Sequence, residues 1–463
     1  MCQEITGAPH KENVARPDVV CRRRYTEATL NLNGGILSVT PEITELNGGL
    51  RVVTTPVPTA QSVSVNVFAG AGARGETERT KGVAHFLEHM MFKGTTERPT
   101  AIAIAEAIEG AGGVLNAYTA KELTCYWNHV PYDQLELAMA VLADMFYDSL
   151  LDAEEIDRER TVVKQEISRG KDQPGSYVGE LLGRAVYGDH QMGWSTAGTE
   201  ESVDGLQRDD FVDWLQTRYT APSTVLSVAG NTNHEQVVAL AERLFAGSPQ
   251  AAAPENVGVN DDELPADRVA SDERPIAQSN IALGLPAIAR KDPDRYTLMI
   301  LNAVLGRGMS SRLFKEVRER RGLAYSVGSS VSRHSDSGMF VVSAGVSPEN
   351  VPETVGVILE ELEKMTKEAV GAAELQKAKD YTVGSFRLSL ESSMALGQRA
   401  GESLLTLGEI EPVESVVAKL RAVTADDVVR VAQRIFKRER AALAIVGPGV
   451  DEPALRDLLG AAG

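Results

Sequence analysis

The stretch "VAHFLEHMMFKGT", residues 83–95, sets two of the chain's seven histidines and a glutamate within five positions. On a helix, His85 and His89 are four residues apart and project from one face, where two imidazoles can converge on a single ion. Glu88 neighbours both on that face, within reach of a water held between them. The competing reading is a half-buried helix whose histidines are four apart by chance, because two nitrogens alone do not make a site. Zinc in a catalytic role takes three protein ligands and keeps a fourth position open for water. The pentad therefore calls for a carboxylate or histidine presented by another rigid element.

Such carboxylates stand in "EEIDRERTVVKQEISRG", residues 154–170. Glu159 and Glu166 are seven residues apart, two turns of one helix and hence on the same face, so either can point at the ion. Glu154, Glu155 and Asp157 read instead as charges of a solvated face.

The bulk composition bounds what this site can belong to. With 463 residues, 43% hydrophobic and 24% charged, the chain is long enough for two or more packed domains and has the balance of a globular protein. No run approaches eighteen apolar residues, and the N-terminus lacks the apolar core of a secretory signal. We expect a cytoplasmic protein, with no membrane insertion and an irregular N-terminal extension over residues 1–40. Cys2, Cys21 and Cys125 are too few and scattered for a disulfide framework or a cysteine-based zinc site. A net charge of −18 disfavours nucleic acid as a partner and is compatible with cationic peptides.

Working outward, residues 248–277, "SPQAAAPENVGVNDDELPADRVASDERPIA", read as a linker. On either side the order of elements recurs at a shift of 217 residues: "QSVSVNVFAGAGARGE" from Gln61 answers "QSNIALGLPAIARKDP" from Gln278, and "LSVAG" at Leu226 answers "LAIVG" at Leu443. The expected organisation is a module over 41–247 and a homologous one over 278–463. Each starts from paired strands and continues with helices in groups, without strict β-α-β alternation. The fold class that follows is α+β: two homologous modules, each an antiparallel-rich mixed sheet covered by helices.

"HFLEHMMFKGT", followed by "GGVLNAYTAKELTCYW" and then "ERTVVKQEI", closely resembles the pitrilysin-type inverzincin metallopeptidases, a family that includes mitochondrial processing peptidase, insulin-degrading enzyme and short bacterial relatives. The resemblance runs from about residue 43 to the C-terminus. It implies one Zn2+ per chain held by His85, His89 and Glu166, the last after 76 intervening residues, with Glu88 as general base. It gives Glu159 the role of orienting a zinc-binding histidine. It also implies that Asn116 and Ala117 lie beside the substrate, an extended peptide added to an edge strand.

The second module does not repeat the metal motif. At the 217-residue shift, His85, Glu88 and His89 fall on Asn302, Leu305 and Gly306. Its segment "GRGMSSRLFKEVRERRGLAYSV" resembles instead the family segment whose arginine and tyrosine grip the substrate backbone, here Arg318 and Tyr325. A guanidinium and a phenol aimed at a carbonyl oxygen would steady the oxyanion of a tetrahedral intermediate. The plain alternative is a surface cation in "KEVRERR" and a core tyrosine. Family members with four such modules form a closed chamber, so a two-module chain implies a dimer. We expect a homodimer, with a heterodimer with a related chain as the alternative. The activity expected is zinc-dependent hydrolysis of unfolded peptides or oligopeptides. The rival from another class is a non-catalytic scaffold or peptide-binding subunit of a larger complex, and the intact motif speaks against it.

Overall fold

The computed structural model describes residues 40–247, 249–260 and 265–460. The expected N-terminal extension, with Cys2 and Cys21, falls outside them except for Thr40.

The first sheet contains β1 (Glu42–Glu45), β2 (Arg51–Pro56), β3 (Ser62–Ala69), β4 (Val114–Thr119), β5 (Thr124–Pro131) and β6 (Thr224–Gly230), in the order β1-β2-β6-β3-β5-β4. Every pair is antiparallel except β2 with β6. The turn from β1 to β2 passes through Gly48 and Gly49 at φ +95° and +96°, a region glycine enters without steric cost. The second sheet contains β7 (Val269–Glu273), β8 (Ser279–Ala287), β9 (Ala324–Arg333), β10 (Gly338–Val346) and β11 (Ala442–Gly447), in the order β7-β11-β8-β10-β9. Only β7 with β11 is parallel. Without β1, the two orders correspond strand for strand, and β3 and β8 start 217 residues apart, at Ser62 and Ser279.

One boundary moves. β7 lies inside the stretch read as linker over 248–277. It is a short edge strand, "VASDE", paired on one side and largely half-buried, so it carries no apolar period to betray it.

Helices α1 (Val83–Met90), α2 (Ala101–Glu109) and α3 (Leu135–Asp148) pack on one face of the first sheet, with α4 (Ala153–Lys171) against α1. The other face is covered from the second module, by the helix Ser393–Leu407. Reciprocally, α5 (Pro174–Tyr187) crosses to the second sheet and packs Val178, Leu182 and Val186 against Ala282, Ala442, Ala444 and Val446. Small residues permit these approaches. A Cβ at Gly401 would stand 2.3 Å from the Phe68 ring, and the Ser227 hydroxyl donates to the Gly397 carbonyl at 2.7 Å. Each sheet is therefore covered on both faces, so β6 and β11 are buried along their whole length rather than alternately.

A polar clasp joins the modules at their hairpin tips. Arg74, 2% exposed, donates to Glu122 between β4 and β5 at 2.8 Å, to Asp336 between β9 and β10 at 2.6 and 2.7 Å, and to the Val257 carbonyl at 2.7 Å. Glu122 also accepts from the Ser335 amide and hydroxyl.

Candidate metal centre

Five of the eight residues of α1, namely Val83, Ala84, Phe86, Leu87 and Met90, are buried against the module core. His85, Glu88 and His89 remain half-buried on the opposite side, the i, i+3, i+4 pattern of one helical face. The start of the helix is held from a distance. Gly82, at φ +86°, has no capping side chain, and the Glu76 carboxylate accepts from the Gly82 and Ala84 amides at 2.9 and 3.0 Å. Burial pushes Glu76 up to about 8, against the pull of those two amides and of Lys121 and Lys81.

Glu159 and Glu166 project from α4 toward α1. The two imidazoles stand edge to face with centroids 4.7 Å apart. Glu166 Oε2 lies 3.7 Å from His85 Nε2 and 3.3 Å from His89 Nε2. Donor atoms of His85, His89 and Glu166 all fall within 4.8 Å of one another, the one such group of three His, Cys, Asp or Glu residues among the described residues. A four-coordinate zinc with bonds of about 2.0–2.1 Å separates its ligand atoms by about 3.3–3.4 Å. The donor set and its two distances to Glu166 fit that ion.

The two histidines are oriented differently. His89 Nδ1 lies 2.8 Å from Glu159 Oε1, and a carboxylate can only accept, so Nδ1 carries the proton and Nε2 presents its lone pair to the cluster. Glu159 in turn receives Lys93 Nζ at 2.5 Å. Burial would raise Glu159, but the bonds from His89 and Lys93 outweigh it and hold its carboxyl below the usual range. Burial would lower His89, but the Glu159 bond and the charges of Glu166, Glu159 and Glu88 outweigh it and raise it. The field that favours a proton on His89 favours any cation at that ring. His85 Nδ1 is buried without a hydrogen-bond partner among the described residues, so packing sets that ring. Burial, with His89 beside it, pulls His85 down to about 4, leaving a neutral imidazole at neutral pH.

Glu88 is raised above the ordinary carboxylate value by burial and by Glu166, against the opposing hydrogen bond from Thr119 and the charge of His89. The Thr119 hydroxyl, at the end of β4, donates to Glu88 Oε2 at 2.5 Å. Sequence reading did not single out Thr119, Lys93 or Glu76. All three stand in or beside the quoted motifs, but their partners are set by packing between elements.

Asn116 and Ala117 lie on β4, the edge strand of the first sheet, where Asn116 Oδ1 accepts from the Ala117 amide at 2.8 Å. Arg318 and Tyr325 meet each other rather than the cluster. The guanidinium sits 5.3 Å from the tyrosine ring centroid, and Tyr325 is 77% exposed, which excludes the core-tyrosine reading. Arg318 belongs to a π-helical stretch, Phe314–Arg320, a winding found often at functional sites. In the second module the counterparts of His85 and Glu88 are packed: Asn302 accepts from Ser329 at 2.6 Å and Leu305 is fully buried. No helix among the described residues is long and apolar enough to cross a membrane.

Comparison with known proteins agrees with this architecture. Residues 51–200 match the model of Insulinase (Peptidase family M16), and residues 205–381 match that of the Peptidase M16 inactive domain. An uncharacterized zinc protease of Streptomyces coelicolor is 38% identical over 418 residues, covering 89% of this chain and 91% of its own. One from Bacillus subtilis is 36% identical over 406 residues, covering 88% and 98%. Among solved structures, a peptidase M16 inactive domain from Pseudomonas fluorescens superposes with a TM-score of 0.83 at 21% identity, covering 89% of this chain and 98% of its own. A protease from Helicobacter pylori does so with 0.80 at 25% identity, covering 89% and 100%. With both halves matched in order and relatives aligned over nearly their full length, the chain belongs to peptidase family M16.

Proposed function

We propose that the protein is a zinc-dependent endopeptidase acting on unfolded peptides, with zinc held by His85, His89 and Glu166 and Glu88 as general base. The observation that carries this reading is the convergence of His85 Nε2, His89 Nε2 and Glu166 Oε2 beside the half-buried Glu88 carboxylate. Zinc, when bound, supplies Lewis acidity that polarises a carbonyl and lowers the pKa of water. The chain's own residues do the rest. Glu159 holds His89 in the ligating tautomer, and Lys93 keeps Glu159 ionised. Glu88, one oxygen bonded to Thr119, takes a proton from the attacking water and returns it to the leaving amine. β4 offers its free edge to an extended peptide beside Asn116 and Ala117, which recognises backbone conformation and tolerates sequence. The purified chain is expected to carry about one zinc, to cleave an internally quenched peptide, and to lose activity on chelation and regain it with added zinc. A chain that cleaves equally well without metal sinks the proposal.

The exposed Arg318–Tyr325 pair supports a homodimer in which the second module of one chain completes the site of the other. Mixing E88Q chains with R318A chains tests this arrangement. Random pairing restores about one quarter of wild-type activity if sites are shared between chains, and none if each chain is self-contained.

A further inference from the structure

We infer that Thr119 is a positioning residue for Glu88: its hydroxyl pins one carboxylate oxygen and leaves the other as the sole oxygen available to a proton in transit. The inference rests on the reading of Glu88 as general base and deepens it. A threonine hydroxyl has one hydrogen to donate. Its nearest hydroxyl neighbour, Thr124, has its own hydrogen committed elsewhere. Thr124 Oγ1 donates to the Ala71 carbonyl at 2.8 Å, because a carbonyl can only accept. Thr124, its hydrogen spent on Ala71, could only accept from Thr119, and at 3.4 Å it lies much farther off than Glu88 Oε2.

The one hydrogen of Thr119 goes to Glu88 Oε2, an acceptor 2.5 Å away. Glu88 Oε1 has no hydrogen-bond partner among the described residues. A carboxylate free to rotate about its last bond would offer either oxygen in many orientations, since that torsion is broad. One anchored at Oε2 presents Oε1 in one direction. The anchor is rigid because Thr119 ends β4 and pairs with Thr124 of β5, so its backbone is fixed by the sheet and not by the helix that carries Glu88. The catalytic geometry is then set jointly by α1 and the edge of the sheet, which is also the edge proposed to receive substrate.

The test compares T119V, which keeps the shape and removes the hydroxyl, with T119S, which keeps the hydroxyl. Zinc content, kcat and KM on an internally quenched peptide, and peptide affinity in the E88Q background are measured for each. T119V is expected to lower kcat about 10- to 100-fold with zinc content and peptide affinity unchanged, and T119S to stay within about threefold of wild type. The inference is overturned if T119V turns over like wild type, if T119S is as impaired as T119V, or if the loss follows zinc or peptide affinity instead of kcat. If T119V does not fold, T119A against T119S decides by the same readouts. E88Q alone separates the two levels: an active, zinc-loaded E88Q overturns the role of Glu88 and this inference together, while an inactive E88Q with a fully active T119V overturns the inference only.

Discussion

Glu88→Gln is expected to abolish peptide hydrolysis, by about two to four orders of magnitude, while the chain keeps its zinc. Glutamine is the same size and its amide oxygen still accepts the Thr119 hydrogen bond, so α1 and the three ligand atoms remain in place. It cannot accept a proton, and nothing else on that face can replace it. His85 and His89 are turned toward Glu166, and Glu159 is occupied by His89 and Lys93. Metal analysis of wild-type and mutant protein beside the rate on an internally quenched peptide checks the prediction. A zinc-loaded mutant of undiminished rate would remove Glu88 from the mechanism, and zinc with no activity in the wild type across several peptides would move weight to a missing partner chain.

Arg74→Ala is expected to cost about 3–5 kcal/mol, read as a lowered midpoint in urea unfolding, because it takes from Glu122 and Asp336 the buried cation closest to each. Glu122 dominates this effect. Its side chain is 8% exposed and would keep the Ser335 hydrogen bonds and Arg290 at 3.4 Å but lose its closest cation, whereas Asp336 is 36% exposed and can recover water. Arg74→Lys should lose less, since an ammonium keeps the charge but cannot serve Glu122, Asp336 and the Val257 carbonyl as a planar fork does. A cost below about 1 kcal/mol for the alanine variant would show that water takes over the clasp.

Much of this protein was legible from local pattern. A spacing of four puts His85 and His89 on one helical face wherever the helix packs, and a spacing of seven does the same for Glu159 and Glu166, because backbone geometry alone sets the period. The 217-residue repeat survives as matching strand orders, because two copies of one pattern bury themselves alike. β7 escaped because a half-exposed edge strand has no periodic signature.

Spacing alone did not separate the two glutamates, and it was the family resemblance that assigned Glu166 to the metal and Glu159 to a histidine. Both lie on one face of α4, and only the docking of α4 on α1 sets Glu166 beside both Nε2 atoms and Glu159 behind His89. The Thr119 bond to Glu88 spans 31 residues and joins a sheet edge to a helix, so no local rule anticipates it. Nor does any local rule anticipate the exchanged helices. Ser64 and Asn66 alternate with valines in β3 as a solvent-facing row would, yet both are fully buried beneath the helix Ser393–Leu407 of the other module. Sequence by itself determined the periods and the chemistry they carry, since these depend on neighbours along the chain. The tertiary structure alone decided which groups meet across elements, since that depends on surfaces brought together from residues far apart.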